Sequence, residues 1–249
     1  MLTRKLIAGA FALLISNIAY ASPINLWEDD GWTQLADDEG VRNGGYVNPG
    51  YGGQDFDAEY LFYKVEGSVL SLGIQAGFDL IDGKVVYSNK SYFTGDLALS
   101  FDNDSSNYEY AVDFGLKSEG YYNGKVEADD DGDGIDAAGL YTVSKWNDDI
   151  YYSQSSPFAM DEGSLVQGLL SNEAGKDGVS YFRTVSFDLA GLGFGSELNL
   201  DAHWTMSCGN DVLENPASVT ITTSVPEPGT IPMLGLGLLF LVAMRRKVS

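Results

Sequence analysis

The chain has 249 residues and a formal net charge of −22 at pH 7, with 36 acidic and only 14 basic side chains. Such a charge argues against nucleic acid and anionic lipid surfaces as partners, because both are polyanions. The length is sufficient for one sizeable core or two small ones. The single cysteine, Cys208, excludes an internal disulfide framework.

Residues 1–21 have the features of a secretory signal peptide. Two cations near the start precede an apolar run that ends at Ile18, and Ala19-Tyr20-Ala21 has the small-x-small pattern of a cleavage site. We therefore expect an N-terminal signal helix, cleavage between Ala21 and Ser22, and export of the remainder. A buried N-terminal helix is the alternative interpretation.

The body of the chain, residues 22–224, has the pattern of one acidic β-rich domain. Apolar and polar residues alternate with a period of two in several segments, which predicts strands with one buried face; these segments are residues 69–78, 108–116, 181–189 and 198–206. Asp82-Gly83 is typical of a type I′ hairpin turn. Residues 161–170 are compatible with one or two helical turns. We expect an antiparallel β-sandwich or jelly-roll-like fold of about ten strands.

A glycine-rich stretch at residues 44–53 contains two tyrosines, Tyr46 and Tyr51. Flat aromatic rings can stack on the faces of sugar rings, so the stretch indicates a carbohydrate-binding module as one candidate function. Packing of both tyrosines on an underlying sheet is the simpler alternative.

The most acidic stretch, residues 127–136, places aspartates at alternate positions. Asp129, Asp131 and Asp133 have a spacing at which carboxylates can converge on a calcium ion, and Asp136 could add another oxygen. The stretch resembles the calcium loops of EF-hand-like and thrombospondin type 3 repeats. However, Leu140 occupies the position at which an EF-hand has its bidentate glutamate. Calcium binding and a hydrated turn therefore both remain open, and no other cofactor is expected.

The only histidine and the only cysteine lie close together in sequence, at His203 and Cys208. Residues five apart on a strand project from opposite faces and are separated by about 17 Å, so a nucleophile–base pair is not expected. The sequence contains no P-loop, dinucleotide fingerprint, GxSxG or HExxH pattern. We therefore expect a protein without enzymatic activity. A glycan-acting enzyme with paired carboxylates is the less favoured alternative.

The tail, residues 225–249, combines a hinge, an apolar run and a basic end. Pro226-Glu227-Pro228 keeps the backbone extended, residues 231–244 carry no charge, and Arg245, Arg246 and Lys247 should stay on the cytoplasmic side of a membrane. A helix over the apolar run would measure about 21 Å, less than the roughly 30 Å of a hydrocarbon core. The tail thus predicts a hydrophobic helix that holds the chain in the membrane transiently.

These three parts together resemble the PEP-CTERM sorting signal of Gram-negative bacteria. The resemblance implies export, processing near Pro226-Glu227-Pro228 by an exosortase, and delivery to the cell surface or to an extracellular polysaccharide matrix. It makes an exosortase the expected partner, with extracellular polysaccharide as a further candidate. We therefore expect a non-enzymatic surface or matrix protein, with a carbohydrate-binding module as the alternative.

Overall fold

The computed structural model describes residues 31–40, 51–102, 104, 107–124, 135–215 and 218–223. Within them the chain forms three single-turn 3-10 helices, no α-helix, and fourteen strands. The strands are β1 (Thr33–Gly40), β2 (Ala58–Glu66), β3 (Val69–Ala76), β4 (Lys84–Tyr87), β5 (Lys90–Phe93), β6 (Leu97–Ser100), β7 (Tyr110–Asp113), β8 (Gly139–Trp146), β9 (Met160–Gly168), β10 (Ser171–Asp177), β11 (Ser180–Asp188), β12 (Glu197–Thr205), β13 (Asp211–Glu214) and β14 (Val219–Thr222).

Both predicted targeting segments lie outside the described residues, including the cleavage position between Ala21 and Ser22 and the whole tail from residue 225. The predicted signal helix and C-terminal helix therefore stay predictions. Among the residues that the structure describes, no helix is long and apolar enough to cross a membrane.

Twelve of the strands form one antiparallel sheet. The hydrogen-bonded order is β10-β11-β3-β2-β1-β13-β12-β6-β7-β8-β9, and β14 pairs with β12 beside this path. Strands β4 and β5 form a separate two-stranded hairpin. The predicted all-β antiparallel architecture is confirmed. A sandwich or jelly roll has two facing sheets, whereas twelve of the fourteen described strands belong to one continuous sheet.

The large sheet is curled into a half-barrel. Strands β9 and β10 stand at opposite ends of the path, yet only Leu169 and Leu170 connect them along the chain. Across the interior, the ring of Phe78, just after β3, makes an edge contact with Trp204 of β12 at a centroid distance of 6.4 Å. Three strands separate β3 from β12 in the sheet. The concave face therefore encloses one hydrophobic core, with Trp204 and Phe78 among its largest buried side chains.

The predicted type I′ turn at Asp82-Gly83 is wrong, because the hairpin turn lies six residues further along. Ser88 and Asn89 connect β4 to β5 and have φ angles of 50° and 63°, as a type I′ turn requires. Gly83 also has a positive φ, of 66°, but it ends the turn that precedes β4. Asp82-Gly83 therefore contains a residue with left-handed backbone conformation, but it does not form the hairpin turn.

The helical turns expected within residues 161–170 are also wrong, since strand β9 covers most of this segment and pairs with β8. Two glycines within it, Gly163 and Gly168, disfavour a helix. A Cβ atom at Gly163 would lie 2.8 Å from the carbonyl oxygen of Thr142 on β8. Close strand pairing therefore decides the conformation against the weak helical pattern.

Candidate functional site: a tyrosine-lined cleft

A cleft of about 350 Å³ opens beside the separate hairpin. Its walls come from the segment before β2, the β4–β5 hairpin, the loop after β7 and the loop after β8. The lining is mostly aromatic and consists largely of Tyr51, Phe56, Tyr87, Tyr92, Tyr121, Tyr151 and Tyr152. We call this the tyrosine cleft.

The rings of the tyrosine cleft support one another through edge and tilted contacts. The Tyr121 ring lies 6.0 Å from Tyr92, 4.9 Å from Tyr122 and 4.7 Å from Tyr151, measured between centroids. These separations are in the range in which aromatic pairs attract each other. Tyr87 and Tyr151 still expose 58% and 43% of their surface, so part of each ring remains available to a ligand.

The loop that carries Tyr121 and Tyr122 is fixed by one buried carboxylate, Asp149. Its Oδ1 accepts a hydrogen bond of 2.8 Å from the backbone N–H of Tyr122, and its Oδ2 accepts one of 2.8 Å from that of Asn123. The backbone N–H of Tyr121 donates to the Asp149 carbonyl oxygen at 2.6 Å. The side chain and the carbonyl group of Asp149 therefore hold this part of the aromatic wall in place.

Polar groups are few in the tyrosine cleft. The Asn210 amide donates a hydrogen bond to the Tyr51 carbonyl oxygen and accepts one from the Cys208 thiol. Burial raises the pKa values of Tyr92 and Tyr121, so both remain neutral phenols at physiological pH. Burial also raises the pKa of Cys208 to about 12, which keeps the thiol protonated and a poor nucleophile.

The structure places His203 and Cys208 in different surroundings. The His203 ring is buried within β12, where its Nε2 lies 3.0 Å from the Ser155 carbonyl oxygen and its Nδ1 lies 3.7 Å from Glu214. Cys208 instead faces the tyrosine cleft. The two side chains are not brought into a nucleophile–base pair.

The predicted calcium stretch is mostly outside the described residues, which include Asp136 but not Asp129, Asp131 or Asp133. Asp136 is half-buried, and its negative charge contributes to raising the pKa of Asp113. Calcium binding at this stretch stays a prediction.

The sequence identified one member of the tyrosine cleft, Tyr51, and Tyr46 lies outside the described residues. The other aromatic members come from segments far apart in the chain. The only sequence signal that could have found them is the high number of tyrosines, 15 in all.

Comparison with known proteins identifies the tail. The family model of the PEP-CTERM protein-sorting motif matches residues 224–247. No curated protein and no solved structure matched the chain. The motif places the chain among exported proteins that are sorted to the cell envelope or surface. More particularly, the tail carries a PEP-CTERM sorting signal, of the type that an exosortase recognises. The resemblance predicted from the tail is confirmed.

Proposed function

We propose that the mature protein is a non-enzymatic component of the cell surface or extracellular matrix, and that it binds polysaccharide through the tyrosine cleft. The observation that carries the proposal is the set of mutually supported, partly exposed tyrosine rings. The C–H faces of sugar rings pack on such rings by dispersion, and the phenol hydroxyls can hydrogen-bond to sugar hydroxyls. A rigid aromatic wall loses little conformational entropy on binding.

The electrostatics favour a neutral glycan. The chain has a net charge of −22, and the polar groups that face the cleft are phenols, a thiol and an amide. An acidic polysaccharide would be repelled by this field, particularly at low ionic strength. We therefore infer that the preferred ligand is built from uncharged hexoses.

The proposal includes a maturation path. The signal peptide is removed between Ala21 and Ser22, and the tail holds the chain in the inner membrane until an exosortase processes it near Pro226-Glu227-Pro228. Support comes from the sorting motif at residues 224–247 and the basic cluster Arg245, Arg246 and Lys247 within it. Mass spectrometry of the native protein should show a mature chain that begins at Ser22 and lacks residues 231–249. Replacement of Pro226-Glu227-Pro228 by alanines should leave the tail attached.

Binding is tested with the mature protein and the host's own extracellular polysaccharide, by affinity electrophoresis. We expect the double variant Tyr87→Ala/Tyr151→Ala to lose about tenfold or more in affinity, since each stacked ring contributes on the order of 1 kcal/mol. Tyr181→Ala is the matched control, because Tyr181 is partly exposed on β11 and does not line the cleft. Unchanged binding by the double variant would contradict the proposal. Release of oligosaccharides by the wild type would favour the glycan-acting enzyme.

A further inference from the structure

Three carboxylates from distant parts of the chain converge where β1 lies between β2 and β13. Asp38 belongs to β1, Asp57 directly precedes β2, and Asp211 begins β13. Each offers one oxygen atom, and these three atoms lie within 4.8 Å of one another. We call these residues the aspartate triad.

The backbone around the aspartate triad fixes its geometry. The N–H of Ala58 donates a hydrogen bond of 3.0 Å to Asp211 Oδ2, and the N–H of Gly77 donates one of 2.8 Å to the Asp57 carbonyl oxygen. A Cβ atom at residue 77 would lie 1.7 Å from the Gln54 carbonyl oxygen, so only glycine allows this approach. The carboxylates are thus preorganised.

One carboxylate oxygen of the triad is buried and has no hydrogen-bond donor in the described part of the chain. Asp57 and Asp211 expose 2% and 0% of their surface. Asp57 Oδ1 is fully buried and accepts no hydrogen bond from the described residues. No cation in the described part of the chain forms an ion pair with Asp57 or Asp211. A buried carboxylate without a compensating charge is strongly unfavourable.

The surroundings of the triad add further negative charge. Glu59 and Asp38 interact electrostatically with Asp57, and Asp38 forms a hydrogen bond with Asp211. A bound cation would offset this concentration of negative charge.

We propose that Asp38, Asp57 and Asp211 bind a divalent cation, and that this cation is Ca²⁺ in the exported protein. Calcium–oxygen distances of about 2.3–2.6 Å allow two ligands of one ion to lie up to roughly 5 Å apart, which accommodates the triad. Hard carboxylate oxygens also favour Ca²⁺ over transition metals, which prefer histidine or cysteine ligands. The ion would cross-link β1, β2 and β13. This site is separate from the acidic stretch at residues 127–136.

The test uses the mature protein, freed of divalent ions with EDTA, and Ca²⁺ alone as the probe. Isothermal titration calorimetry and thermal unfolding should show that Ca²⁺ binds and raises the Tm of the wild type. Asp57→Asn should lower the Ca²⁺ affinity by about tenfold or more, because it removes one anionic ligand while keeping the side-chain shape. Asp131→Asn is the control for the acidic stretch and should retain the Tm response that depends on the triad.

The Asp57→Asn protein should fold, since an amide relieves the repulsion among the buried carboxylates. In EDTA at slightly alkaline pH, it should unfold at or above the wild-type Tm. Asp38→Asn, at the half-buried member, is a second variant with the same expected loss of affinity. A wild-type Tm that is identical in EDTA and Ca²⁺ would overturn the proposal. The proposal would also be overturned if both triad variants bound Ca²⁺ as the wild type does and Asp131→Asn abolished binding.

Discussion

The ammonium group of Lys90 lies 3.3 Å from the centre of the Tyr121 ring and donates a hydrogen bond of 2.6 Å to the Tyr121 carbonyl oxygen. This double contact joins the β4–β5 hairpin to the loop after β7. A cation over an aromatic face is attracted by the ring quadrupole, and the hydrogen bond fixes its position. Lys90 therefore positions one wall of the tyrosine cleft.

We expect Lys90→Met to weaken polysaccharide binding by about two- to fivefold, the equivalent of the 0.5–1 kcal/mol typical of a cation–π contact at an exposed site. Methionine keeps most of the apolar stem but removes the charge and the donor. Affinity electrophoresis would measure the effect. Lys84→Met, on the same hairpin but outside the cleft lining, is the control and should bind as the wild type does. An equal loss of polysaccharide affinity in both variants would mean that the loss comes from the removed charge and not from a displaced cleft wall.

Removal of Ca²⁺ should also weaken glycan binding. Phe56 and Asn210 line the tyrosine cleft, and the residues that follow them, Asp57 and Asp211, belong to the aspartate triad. An ion that orders the triad therefore also orders these two lining residues of the cleft. We expect EDTA to reduce the affinity of the wild type by about threefold or more, and added Ca²⁺ to restore it. The Asp57→Asn variant should need about tenfold more Ca²⁺ for the same restoration of glycan affinity. Restoration of Asp57→Asn at the wild-type Ca²⁺ concentration would show that the coupling does not pass through the triad.

Local pattern was enough to predict the strands that face the core. Alternation predicts strands β3, β11 and β12, because one face of each packs against the interior core; β11 and β12 bury residues on their other face as well. Alternation could not predict how strands pair. The curl of the sheet depends on β1 lying between β2 and β13, which are more than a hundred residues apart in the chain.

The candidate sites depend on the same long-range pairing. The glycine-rich stretch at residues 44–53 indicates Tyr51 as a candidate ligand contact, whereas Tyr121 and Tyr151 lie in loops whose sequences do not indicate a binding site. Asp38, Asp57 and Asp211 are unremarkable in sequence, and Asp38 lies beside other acidic residues. They converge only because the sheet register brings Gly40 opposite Asp211.

The buried Arg183 should contribute strongly to stability. Its guanidinium donates hydrogen bonds of 2.9 and 2.7 Å to the Leu80 carbonyl oxygen and one of 2.5 Å to Asn172 Oδ1. Burial lowers its pKa to about 10, so it remains charged at neutral pH. Arg183→Met would leave these acceptors without a donor, which should cost about 3 kcal/mol in urea-induced unfolding. Lys176→Met, at an exposed position on β10, should cost less than about 1 kcal/mol. Similar losses in the two variants would contradict this role.

Asp113 should make the stability fall as the pH rises. Burial and the charge of Asp96 raise the pKa of Asp113 to about 9, with a smaller contribution from Asp136 and an opposing one from the Gly115 N–H. In the unfolded chain the carboxyl has its ordinary pKa of 3.8. Between these two values the folded protein binds more protons than the unfolded one. Stability is therefore greatest on the acid side of this window and declines through it.

The contribution of Asp113 can be isolated by comparing the wild type with Asp113→Asn. The free energy of unfolding would be measured in urea at several pH values between about 5 and 9, always in EDTA so that cation binding does not interfere. The free energy of unfolding should fall more steeply with pH in the wild type than in the variant. The difference between the two slopes should be at most about 1.4 kcal/mol per pH unit, which corresponds to one proton. The asparagine variant should be the more stable of the two at the alkaline end, since it carries no buried charge. Parallel slopes would show that folding does not raise the pKa of Asp113.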